Sequence, residues 1–131
     1  MMPHHPLYFD SAGHAYPLSR LADGHYYDKP MRIGYLHYSN RKILELCDRI
    51  RSASANPPVI LLLGDHGIRE FREPVDPGYS FLTLQAILLP GREYPGYYNG
   101  MSHVNFIRNF LNRQMGQQLK PLPDSTILIR E

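Results

Sequence analysis

Five aliphatic residues in a row, Val59-Ile60-Leu61-Leu62-Leu63, stop at Gly64, and the chain goes on as Asp65-His66-Gly67. The run is too short for a full helix before the glycine intervenes. An apolar residue at every position is the pattern of a strand covered on both faces in a parallel sheet. In open sheets of that kind ligands bind beyond the carboxyl ends of the strands, which is where Asp65 and His66 fall. Gly64 and Gly67 permit turns that bring both side chains to one ion.

An Asp-His dipeptide means little by itself, because seven aspartates and seven histidines in 131 residues produce about 0.4 such pairs by chance. Its place between two glycines at a strand end carries the weight. Two readings fit that place. One is a pair of metal ligands, a carboxylate oxygen and an imidazole nitrogen, suited to zinc, manganese or iron and less well to calcium or magnesium. The other is an Asx-turn with no ligand.

Around this strand the chain reads as α/β. Residues 1–27 are rich in Pro, His, Gly and Tyr without a sustained period, a loop with a short strand at Pro6–Phe9. A loop of that length is expected either to serve a site or to have lost the element it once followed. Asp28 offers an N-cap and Pro30 suits the first turn of a helix running to about Ser54. Its apolar positions, Met31, Tyr35, Tyr38, Ile43, Leu44, Cys47 and Ile50, recur mostly at three or four residues. A second apolar strand is expected from about Leu82 to Leu89. Ser102 caps a helix of about ten residues with Val104, Ile107, Phe110, Leu111 and Met115 facing inward, and "STILI" offers an edge strand. Helix, strand, strand, helix, strand over 28–131 gives one domain, or part of one, with no internal repeat.

Composition sets the outer limits. With 43% apolar and 20% charged residues the chain has an ordinary globular makeup. A formal charge of +2 with dispersed basic residues gives no electrostatic case for nucleic acid. No apolar run approaches the roughly 20 residues that cross a bilayer, and Met-Met-Pro-His-His-Pro does not read as a signal peptide. Cys47 has no partner for an internal disulfide and is expected to be a small buried hydrophobe.

"PPVILLLGDHGIR" resembles the metal-binding strand end of sulfatase-like enzymes of the alkaline phosphatase superfamily. "MMPHHPLYFDSAG" is similar to the segment in which these proteins carry His-x-Pro followed by an aromatic residue and an Asp. "GYLHYSNRKILELCDRI" looks like the helix before the metal strand. "LQAILLPG" and "SHVNFIRNFLNRQMGQQLKPLPDST" look like the strand and final helix that close the domain. The likeness covers nearly all 131 residues and is strongest to the extracytoplasmic domains of bacterial membrane-anchored members, lipoteichoic acid synthases and phosphoethanolamine transferases among them.

The resemblance implies the C-terminal portion of an alkaline-phosphatase-like α/β/α sandwich with a mainly parallel sheet. It implies that Asp65 and His66 ligate a divalent metal (Mn, Zn, Ca or Mg), that His4, with His5 beside it, meets the transferred phosphate or sulfate group, and that Arg69 touches an anionic substrate. The family builds its site from two halves of sequence. The nucleophile, a threonine, serine or modified cysteine, and further acidic ligands lie upstream of His-x-Pro in family order, and these 131 residues have no match to them. The implied function is the C-terminal part of a phosphate- or sulfate-ester hydrolase or transferase, inactive as an isolated piece, with self-association or association with the other half expected. A non-catalytic remnant or oligomeric binding module of the same fold is the alternative. A third arrangement would complete the site with His4, His5 or His14. Neither Ser102 nor Thr83 is expected to replace the nucleophile: Ser102 starts a helix and reads as a cap, and Thr83 lies within a strand with no base near it in sequence. His103, Asn105, Arg108 and Asn112 read as capping and packing contacts.

Overall fold

The computed structural model describes residues 7–22, 28–68 and 76–127. In order they form α1 (Leu18–Ala22), α2 (Lys29–Ala53), β1 (Ile60–Leu63), a 3-10 helix (Pro77–Phe81), β2 (Gln85–Leu88) and α3 (His103–Met115). This is a mixed α/β arrangement. Its sheet has two strands, β1 and β2, paired antiparallel with Ile60 opposite Leu88 and Leu63 opposite Gln85. The sequence pattern anticipates strands covered on both faces; here all four positions of each strand are half-buried. No helix among the described residues is long and apolar enough to cross a membrane.

Helix α2 starts where local chemistry says it should. The Asp28 side chain accepts from Met31 N at 3.0 Å, satisfying one of the first-turn donors that has no partner in the helix, and Pro30 occupies the first turn. Burial is confined to its first half. Met31, Tyr35 and Ser39 are buried, with Tyr35 only 1% exposed, and Ser39 Oγ donates to Tyr35 O rather than lie unsatisfied. Leu7, Met31 and Tyr35 form a core against which Phe9, Tyr16 and Tyr38 pack. The chain from Leu7 to Tyr16 reaches that core as a tight reversal: Phe9 bridges Ala15, and Asp10 Oδ1 accepts from the N–H groups of Ala12, Gly13 and His14. Gly13 (φ 97) is obligatory there, since a Cβ would lie 2.5 Å from the Tyr38 ring.

The second half of α2 departs from the expected buried stripe. Ile43 and Cys47 are half-buried, whereas Leu44 (64% exposed), Leu46 and Ile50 face outward. Beyond β2, Leu89, Met101 and Phe106 are also buried, and the Tyr97 ring meets Phe106 edge-on at 5.2 Å. Helix α3 is capped by Ser102, which accepts from Asn105 N, and ends at Gly116 in the left-handed conformation (φ 65). Its buried face is centred on Asn105 and Phe106, one turn position away from the expected Val104, which is exposed. Residues 125–127 of the expected edge strand carry no strand structure, and the remainder of it lies outside the described residues.

Candidate metal and ester-binding cleft

Three chain ends meet on one side of the molecule. The carboxyl end of β1 lies beside the start of β2, because Leu63 pairs with Gln85 and Gly64 N donates to Leu84 O at 2.9 Å. The start of α3 joins them through Gln85 Nε2 donating to Met101 O at 3.0 Å and through His103 Nε2, 3.2 Å from Thr83 Oγ1. Between them lies an open cleft of about 1240 Å³. Asp65, His66, Thr83, Tyr98, His103 and Asp124 all line it.

Asp65 and His66 follow β1 directly, as the sequence places them. Their backbone is held by the segment beyond: Gly67 N donates to Ser80 O at 2.8 Å, docking the turn on the 3-10 helix that Asp76 caps. The glycines act differently from expectation. Neither Gly64 nor Gly67 has a positive φ. They are small because the backbone opposite is close: a Cβ on Gly67 would sit 2.0 Å from Tyr79 O, and one on Gly64 3.2 Å from Leu84 N.

The Asp65 side chain is 91% exposed, and its Oδ1 accepts from His66 N at 3.0 Å, a contact that orients the carboxylate. His66 Nδ1 lies 2.6 Å from Gly67 O. A carbonyl only accepts, so in the neutral ring Nδ1 carries the hydrogen and Nε2 keeps its lone pair. Nε2 is the nitrogen that faces Asp65 Oδ2, at 3.8 Å. Two acceptors therefore converge, and metal-binding histidines use their second nitrogen on a carbonyl or carboxylate in this way. One ion with bonds of about 2.1 Å to each would hold the two atoms about 3.0–3.4 Å apart, a small side-chain adjustment from what is seen. The residues fit as two ligands of a divalent cation. Among the described residues no group of three or more His, Cys, Asp or Glu side chains completes a cation site.

The remaining candidates divide. His4, His5 and Arg69 lie outside the described residues. His14 sits on the Asp10 turn, 3.2 Å from Asp10 Oδ2, and does not line the cleft. Thr83, without a base near it in sequence, has one in space in His103. That nitrogen is also 3.4 Å from Leu84 O. The carbonyl favours a hydrogen on Nε2, so His103 donates toward both oxygens and leaves Thr83 its own proton. The pair ties the segment before β2 to α3 and does not activate the threonine.

Asp124 is the cleft residue that sequence reading passes over. Its carboxylate accepts from the Tyr98 hydroxyl, from Ser102 N at 2.8 Å and from Asn105 Nδ2 at 2.7 Å. The Tyr98 hydrogen bond is the leading reason its carboxyl is held well below the usual carboxylate range, with the Ser102 contacts next; the same bond raises Tyr98. Asp124 thereby places a negative charge at the positive end of α3. Sequence separations of 19 to 26 residues hide these contacts from any local motif.

No family model, no curated protein and no solved structure matches this chain.

Proposed function

We propose that this chain is the C-terminal part of a metal-dependent phosphate- or sulfate-ester hydrolase or transferase of the sulfatase-like type, an alkaline-phosphatase-like α/β/α sandwich whose other half supplies the nucleophile and the remaining ligands. The observation that carries the reading is the convergence of Asp65 Oδ2 and the lone pair of His66 Nε2 at the mouth of a cleft beyond the end of β1. The resemblance of "PPVILLLGDHGIR" to the family's metal strand supports it. An antiparallel β1–β2 pair is compatible with a mainly parallel sheet, since mixed sheets commonly carry an antiparallel edge strand.

Asp65 and His66 would hold the cation, which supplies charge neutralisation at the ester oxygens and acidifies the attacking hydroxyl. The Gly67 carbonyl fixes the His66 tautomer and raises its basicity as a ligand. Asp65 keeps its orientation through His66 N. His4 and His5 are the proposed contacts to the transferred group, donating hydrogen bonds as negative charge develops, and Arg69 the proposed contact to the anion. The identity of the cation among Mn, Zn, Ca and Mg follows from ligands contributed by the other half.

The test is Asp65→Ala in the protein that unites this segment with its nucleophile, assayed on aryl phosphate and aryl sulfate with excess metal. Loss of turnover by at least a hundredfold is expected; undiminished turnover removes the reading. The second reading, a non-catalytic oligomeric module, is favoured by one observation. Leu44, Leu46 and Ile50 project outward from α2, while each described strand has a single neighbour. Such surfaces invite another copy or the other half.

A further inference from the structure

After Gly116 the chain reverses and runs back along α3, and its contacts there are almost entirely to backbone. Asn112 Nδ2 donates to Leu119 O at 2.9 Å while its Oδ1 accepts from Leu119 N at 2.7 Å. One helical stretch earlier, Asn105 Nδ2 donates to Leu122 O at 2.6 Å and its Oδ1 accepts from Leu122 N at 2.9 Å. Between them Arg108 donates to Lys120 O at 3.1 Å. The spacing is matched. Seven residues of helix advance about 10.5 Å, and three residues of extended chain cover about 10 Å in the opposite direction. Each amide reads both polar groups of one residue, as a neighbouring strand would.

The segment suits that reader. Pro121 and Pro123 have no N–H to leave unsatisfied and hold the chain extended. Apart from the Asp124 carboxylate, the side chains contribute little: Leu119 is half-buried, and Leu122 and Lys120 are exposed. Recognition through backbone amides and carbonyls does not depend on which chain supplies them. Asn105, by contrast, is 4% exposed and fixed in the body of α3.

We propose that the Asn105–Arg108–Asn112 face of α3 is a docking groove for an extended, proline-containing peptide, and that residues 117–124 fill it as a detachable strap. A peptide arriving in trans takes the same five hydrogen bonds in place of the strap. Because Asp124 ends the strap, its displacement also takes the carboxylate away from Ser102 N and Tyr98 and changes one wall of the cleft.

The probe is a fluorescent synthetic peptide of residues 117–127. The receptor is the full chain carrying Leu119→Pro and Leu122→Pro, which removes the two strap donors and leaves the groove intact. Saturable binding is expected, at least tenfold tighter than to the native chain, whose tethered strap competes at an effective concentration in the millimolar range. Adding Asn105→Ala and Asn112→Ala should abolish it. A receptor with native helical circular dichroism that binds nothing, or binding that survives loss of both asparagines, overturns the proposal. If the double proline variant does not fold, amide exchange on the native chain decides: Leu119 and Leu122 should exchange at least tenfold faster than the interior amides of α3. Equal protection makes the strap an integral part of the fold and refutes detachment.

Discussion

In His66, one hydrogen bond decides which nitrogen can hold an ion. With Nδ1 donating to Gly67 O, the neutral ring is fixed with Nε2 as acceptor, and long-range nitrogen–proton NMR correlations should show the Nδ1–H tautomer at neutral pH. A dominant Nε2–H pattern would show that this nitrogen is not poised for a ligand. Gly67 is the second single-residue control. Its missing Cβ lets Tyr79 O approach to a distance no side chain tolerates, so Gly67→Ala must displace the turn. Asn105 is the third. It is buried with three hydrogen bonds, and Asn105→Ala should cost roughly 1–3 kcal/mol in urea denaturation by leaving Leu122 and Asp124 groups unsatisfied. Asn105→Asp should cost more, because a carboxylate would then face both Leu122 O and the Asp124 carboxylate. A loss below about 0.5 kcal/mol for either variant, the range of surface substitutions, would mean that the strap contacts are not formed in solution.

The elements follow from local chemistry where caps and periods decide, and from distant contacts elsewhere. Asp28, Pro30 and Ser102 mark the starts of α2 and α3 within the sequence because a cap acts over three residues. β1 is visible as an apolar run. The five-residue α1 and the 3-10 helix at Pro77–Phe81 leave no comparable period, being too short to repeat a face. The face of α3 is legible in part: Ile107, Phe110 and Leu111 are half-buried as expected. Val104 and Met115 are exposed because the face centres on Asn105, which looks polar in any hydrophobicity pattern and whose burial is stabilised by a strap 17 residues away. The position of Asp65 and His66 is legible because both follow β1, whereas Thr83, His103, Tyr98 and Asp124 meet only through the fold. The strap's end also makes a pH prediction. The folded carboxyl of Asp124 titrates below its unfolded value of about 3.9, so its contribution is present above that value and is lost as pH falls toward the folded value. Exchange at Leu122 N should therefore speed up below about pH 4 beyond the intrinsic trend, and Asp124→Asn should flatten that dependence. An unchanged profile in Asp124→Asn would assign the acid sensitivity to another group, with Asp10, likewise lowered by its turn, next in line.

For the whole molecule, the unequal packing of its two ends is the main feature. Leu7, Met31 and Tyr35 close a core at the start of α2, and Tyr35→Ala should cost about 3–5 kcal/mol there, read by thermal denaturation. The other end of α2 leaves Leu44, Leu46 and Ile50 uncovered among its charged residues. If another copy or the other half of the domain covers it, Leu44→Glu should reduce sedimentation-detected self-association while changing monomer stability by no more than about 0.5 kcal/mol. A strictly monomeric native chain would remove the oligomeric reading and leave the two-half reading. That reading turns on whether the cleft gathers a cation at the end of β1. Manganese titrated into the isotopically labelled chain, followed by NMR line broadening, measures this directly even where binding is weak. Broadening centred on Asp65 and His66 and lost in Asp65→Ala is the predicted result. Broadening centred on Asp10 and His14, or spread without a focus, would contradict it.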